Sequence, residues 1–186
     1  MSRYKGREPD QDRFDIEEPK LDSTSIRASW NPSENLSLQV SWADFNRPEQ
    51  LEPEVDDTRL SASAIYTVRL ANEGWWSTTI AWGLKVPSDD ETTHALALET
   101  AYAPDRDWTL FARGEVIESH ELDPADTINT VGKISFGAIR DFHVAENVRL
   151  GIGALYSVNF VPDNLEPSYG GDPDGGMVFL RLVAGT

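Results

Sequence analysis

The sequence predicts an all-β chain, an antiparallel up-and-down transmembrane-type β-barrel of about nine strands, and three observations carry that prediction. Apolar and polar residues alternate with a period of two; short and long links follow one another; and basic side chains gather on one face of the alternating segments. Helical readings fare badly. Val148-Arg149-Leu150-Gly151-Ile152-Gly153-Ala154-Leu155-Tyr156 holds two glycines and spaces its apolar residues at two, not at three or four.

Residues 1–22 are polar and carry Asp10, Asp12, Asp15, Glu17 and Glu18, which predicts a loop or lead-in rather than core. The remainder, 23–186, divides into strands at 23–31, 36–45, 58–67, 75–85, 93–103, 108–118, 129–142, 147–160 and 176–183. The clearest is Leu36-Ser37-Leu38-Gln39-Val40-Ser41-Trp42, which alternates without a break, as a strand with one apolar face must. Three links (31–35, 103–107 and 142–147) are short, and three acidic ones (46–57, 119–128 and 161–175) are longer. With the last strand running down to a periplasmic C-terminus, each of these short links falls on the periplasmic side and each long one outside. Links 68–74 and 86–92 are of similar length and do not discriminate.

One face of these strands is predicted to be apolar, with an interface girdle of Trp30, Tyr66, Trp76, Tyr102 and Trp108 beside the short turns and of Trp42 and Trp82 toward the other end. The same residues also suit the core of a soluble β-sandwich, a carbohydrate-binding module being the alternative reading. The opposite, lumen-facing set is Arg27, Gln39, Arg59, Lys85, Glu99, Arg113, Glu115, Lys133, Arg149 and Arg181, with the remaining acidic residues assigned to loops, turns and lead-in. Such a basic wall either attracts anionic solutes or is neutralised by an inward-folded acidic loop or the N-terminal segment.

Among 186 residues, 32 Asp and Glu against 16 Lys and Arg give a formal charge of −16, which makes nucleic acid a poor partner. Without cysteine, disulfides and thiolate metal sites are excluded. No run approaches the roughly 18 consecutive apolar residues of a membrane-spanning helix, and the opening Met1-Ser2-Arg3-Tyr4-Lys5-Gly6-Arg7-Glu8 lacks the apolar run of a signal peptide. His94, His120 and His143 lie in or beside three different links without metal-ligand spacing, which predicts solvated loop histidines. Asp89-Asp90-Glu91 and Asp172-Pro173-Asp174 lack the order of a calcium loop, so a solvated acidic surface is expected of these outer loops, with weak divalent-cation binding as the alternative. With neither a G-x-S-x-G elbow nor a phosphate loop, no catalytic, cofactor or resident metal residue is assigned. A hydrolase would need Ser77 and His94 brought together, and a sugar platform would need Trp75 and Trp76 exposed side by side.

Gly6-Arg7-Glu8-Pro9-Asp10, Ile16-Glu17, Pro19-Lys20-Leu21-Asp22-Ser23, Pro48-Glu49-Gln50-Leu51-Glu52-Pro53 and Phe179-Leu180-Arg181-Leu182 together resemble the C-terminal part of uncharacterised outer-membrane β-barrel proteins of Gram-negative bacteria. The likeness runs over essentially the whole chain and rests on loop and strand signatures rather than catalytic ones. It implies a porin-like or structural envelope protein in the cell outer membrane, with outer-membrane lipid as its partner. It further implies a C-terminal fragment whose signal peptide lies upstream, in keeping with an odd strand count where bacterial barrels close with even ones.

Overall fold

The computed structural model describes residues 1–8, 14, 20–50, 52–122 and 127–185. The acidic lead-in residues Asp10, Asp12, Asp15, Glu17 and Glu18 lie outside the described residues, as do Pro9, Ile16, Pro19, Leu51 and part of the 119–128 link.

Ten strands form one antiparallel sheet in which every neighbour in space is a neighbour in sequence: β1 (Ser2–Tyr4), β2 (Ser23–Trp30), β3 (Leu36–Phe45), β4 (Asp57–Arg69), β5 (Trp75–Pro87), β6 (Thr93–Ala103), β7 (Trp108–Ser119), β8 (Asn129–Ala145), β9 (Val148–Phe160) and β10 (Asp174–Ala184). The nine predicted strands are all present. The tenth, β1, falls in the segment read as polar lead-in. Its three residues pair with Ser23, Thr24 and Ser25, and the Tyr4 ring packs edge-on against Phe45 at 5.7 Å. A segment this short shows no period of two by itself. Among the described residues the count is therefore even, but β1 and β10 do not pair with each other, and the sheet is open.

The up-and-down order puts links 31–35, 70–74, 104–107 and 146–147 at one end, and links 5–22, 46–56, 88–92, 120–128 and 161–173 at the other. The tightest link, Glu146-Asn147, holds Asn147 at φ 63°, a left-handed conformation that asparagine accepts with little strain. Beside it the β8–β9 ladder slips between His143 and Ala145, the local irregularity by which a strand absorbs an extra residue.

Register shears steadily in one direction. Starting at Trp30, the last residue of β2, the line of directly opposed residues passes through Leu38, Ala64, Ile80, Leu98, Gly114, Ile134 and Val158 to Asp174, the first residue of β10. It thus crosses from the short-link end of the sheet to the long-link end. Such an accumulated offset means that the strands are tilted relative to the line joining them, the relation that barrel walls require.

Only Val55, Ala103, Ile139 and Leu165 are buried apolar residues among those described. A single sheet has one apolar face and nothing to press it against, so no central core forms. A small aromatic packing lies on the other face. Phe111 lies opposite Gly137 and Phe179 opposite Gly153, and the two rings meet at 6.5 Å across the glycine-lined strands between them.

Candidate functional site

The register assigns the two faces. Ile26, Trp42, Leu60 and Leu84 oppose one another on one face; Arg27, Ser41, Ser61 and Gly83 on the other. Carried through the sheet with the period of two, this places Trp30, Trp42, Tyr66, Trp76, Trp82, Tyr102 and Trp108 together on the apolar face. It places Arg27, Gln39, Arg59, Lys85, Glu99, Arg113, Glu115, Lys133, Arg149 and Arg181 together on the polar one.

Nothing among the described residues covers the apolar face. Ile80, Leu98, Phe136 and Ile152 are about half exposed, and Val178 on the edge strand is 78% exposed. Near the short links the Tyr66 and Trp76 rings meet edge to face at 6.1 Å, and Trp76 Nε1 donates to Thr100 Oγ1 at 2.8 Å. Trp82 packs against His94 toward the long links, their ring centroids 6.1 Å apart. One cation interrupts this face: Arg140 lies over Trp108 at 5.4 Å and over Phe142 at 5.1 Å. Those ring faces give its guanidinium an electrostatic partner without a carboxylate.

Hydroxyl pairs bridge neighbouring strands on the polar face, as in Ser2–Ser25 at 2.7 Å, Ser41–Ser61 at 2.6 Å, Thr67–Ser77 at 2.8 Å and Ser135–Ser157 at 2.8 Å. They add cross-strand side-chain bonds to the backbone ladder. Charges form three clusters. Toward the long links, Arg59 Nη2 binds Asp57 at 2.7 Å and Lys85 Nζ binds Glu49 at 2.6 Å, the latter carboxylate delivered by link 46–56. Mid-sheet, Arg113 is held by Glu99 at 2.9 Å and by Glu115 at 2.6 Å. Toward the short links, Arg181 binds Asp141 at 2.6 Å across Gly151, with Arg149 3.9 Å from the same oxygen. Arg27 and Lys133 have no carboxylate within salt-bridge distance among the described residues.

These clusters correct the expectation that, apart from Glu99 and Glu115, the acidic residues lie in links and lead-in. Asp57 begins β4 and Asp141 lies within β8, both buried on the polar face, while Asp44, Glu118 and Asp174 also belong to strands. Asp141 was legible, because it shares the odd parity of Lys133 in its own strand. Glu49 carried no such signal, since a link has no period.

One histidine also differs from expectation. His120, just after β7, is buried, at 6% exposure, with Nδ1 3.4 Å from an oxygen of Asp90 in link 88–92 and making no hydrogen bond. His94, near the start of β6, and His143, near the end of β8, lie beside links and are exposed, as expected. Ser77 and His94 fall on opposite faces and near opposite ends of their strands, which keeps a serine–histidine pair apart. Trp75 and Trp76 also point to opposite faces and form no joint platform.

The carboxylates of the two acidic runs make internal contacts: Asp90 accepts from the Glu91 N–H, Asp172 from the Val161 N–H, and Asp174 from the Tyr156 hydroxyl. Among the described residues no group of three or more His, Asp or Glu is arranged to hold a metal ion. In link 46–56, partial burial and then the neighbouring Glu49 carboxylate hold the Glu52 carboxyl above its ordinary value. Folding therefore favours its proton, a strain present at neutral pH and relieved as pH falls through the raised value.

Comparison with family models, with curated proteins and with solved structures gives no match.

Proposed function

We propose that this chain forms wall of an outer-membrane β-barrel, porin-like or structural, without enzymatic chemistry. The observation that carries the reading is the uncovered apolar face. In water such a face is exposed hydrophobic surface far beyond what a monomer tolerates; in hydrocarbon it is already solvated.

The dimensions agree. β5 presents Trp76, Thr78, Ile80, Trp82, Leu84 and Val86 on that face. At about 3.3 Å per residue this stretch is about 33 Å long, and a tilt of about 40° gives a height of about 25 Å, that of the lipid-facing band of an outer-membrane barrel. Longer links at one end and tighter ones at the other match the extracellular and periplasmic sides of such a wall. A sandwich module gains no comparable support, because all ten strands belong to one sheet and, among the described residues, no second layer meets the apolar ones. On the polar face the ion pairs neutralise most of the basic residues, which favours a self-compensated wall over a dedicated anion path.

Tryptophan quenching by brominated lipid tests the reading. In reconstituted vesicles a variant retaining only Trp76 is expected to be strongly quenched and one retaining only Trp75, on the opposite face, to be spared. Equal quenching of both, or a chain that stays monomeric in buffer without detergent, overturns it.

A further inference from the structure

At the long-link end of the polar face a cavity of about 430 Å³ opens between β7, β8 and β9 on one side and link 161–173 on the other. Its volume falls within the range of small-molecule sites. The link is drawn in by its own apolar residues. Leu165 is only 2% exposed, and Asn164 Nδ2 donates to Asn129 Oδ1 at 2.7 Å, pinning the link to the start of β8.

The walls are mostly apolar, formed by Ile117, Val131, Val161, Leu165 and Tyr169, and two charged residues enter among them, Glu115 and Lys133. They are directly opposed across β7 and β8, yet do not pair. Glu115 instead accepts from Arg113, from Nη2 at 2.6 Å and from Nε at 3.0 Å. Lys133 is left with neither an ion pair nor a hydrogen bond among the described residues. The cavity thus combines an apolar wall with one ammonium that no carboxylate contacts among the described residues. A half-shielded cation beside greasy surface is best satisfied by a single negative charge on an apolar body.

We propose that this cavity binds a small apolar carboxylate, its anionic end on Lys133 and its hydrocarbon against Ile117, Val131 and Leu165. This goes beyond the membrane reading and does not depend on it. Loss of the Trp76 quenching contrast would overturn that reading and leave the present titration unchanged.

The test is calorimetric titration of the full chain, in whichever medium keeps it folded and against a blank of that medium, with octanoate, octylamine and octan-1-ol as probes. Octanoate is expected to bind saturably at one site. Lys133→Met keeps the apolar stem but loses the charge, and is expected to weaken octanoate by about tenfold or more, whereas Lys133→Arg stays within about threefold. Octylamine or octan-1-ol binding as tightly as octanoate, unchanged affinity in Lys133→Met, or no saturable binding overturns the proposal. Should Lys133→Met fail to fold, the ranking of the three probes on the unaltered chain decides it.

Discussion

Glycine 137 is where the packing of the polar face makes its sharpest demand. It lies in β8 directly opposite Phe111 in β7 and Leu155 in β9. A Cβ built there would stand 2.5 Å from the Phe111 ring edge and 2.9 Å from Leu155 Cβ, and would also collide with the Ala154 carbonyl oxygen. The ring can swing, but the carbonyl is backbone of β9 and is fixed by the ladder, so Gly137→Ala must displace one strand relative to its neighbour. Overpacking of this kind costs about 1–3 kcal/mol, and loss of glycine's freedom in the unfolded chain returns about 0.4–1 kcal/mol. The net expectation is destabilisation of about 1–2 kcal/mol. Gly83→Ala is the matched control: it lies on the same face, in β5, and its Cβ would meet nothing within 4 Å. It is expected to be neutral or stabilising by up to about 1 kcal/mol. Urea unfolding followed by tryptophan fluorescence, in detergent or vesicles, measures both. A Gly137→Ala chain as stable as the original, or a Gly83→Ala chain equally weakened, would show that the aromatic–glycine contacts are not what shapes this part of the sheet.

Two further substitutions probe the charge clusters and the turns. Asp141→Ala leaves the Arg181 and Arg149 guanidiniums facing each other across Gly151 and is expected to cost about 2–3 kcal/mol, below the fully buried figure because both arginines are more than a third exposed; adding Arg181→Leu should recover at least half of the loss in the same unfolding assay, and no recovery refutes the pairing. Asn147→Val places a β-branched residue at φ 63° and is expected to cost about 1–2 kcal/mol, whereas Asn147→Gly should change stability by under about 0.5 kcal/mol; equal effects of the two would mean that the turn does not need its left-handed residue.

Alternation made the nine long strands legible, because the period of two is a property of neighbouring residues along one strand. The regular stretch from Leu36 to Trp42 places β3 without reference to any other part of the chain. Face assignment followed from the same period, so Trp76, Trp82 and Tyr102 lie on one face and Arg59, Lys85 and Glu99 on the other, as their spacing predicts. Asp141 is within reach of that reasoning, since it shares the parity of Lys133 in a segment whose spacing predicts a strand. β1 was beyond it: three residues become a strand because β2 offers them partners.

The sequence by itself thus determined which segments are extended, which residues share a face, and where the short and long links fall, all of which depend on local spacing. Tertiary structure alone decided the direction of shear, the open edges at β1 and β10, the burial of His120, and the choice of partner by each charge. Lys85 pairs with Glu49, far back in a link, while Glu115 turns from Lys133 directly opposite to Arg113 two residues away. Charge pairing depends on register and on how links fold back. Register is set between strands and fold-back between distant segments, so neither is written in the spacing of a single one.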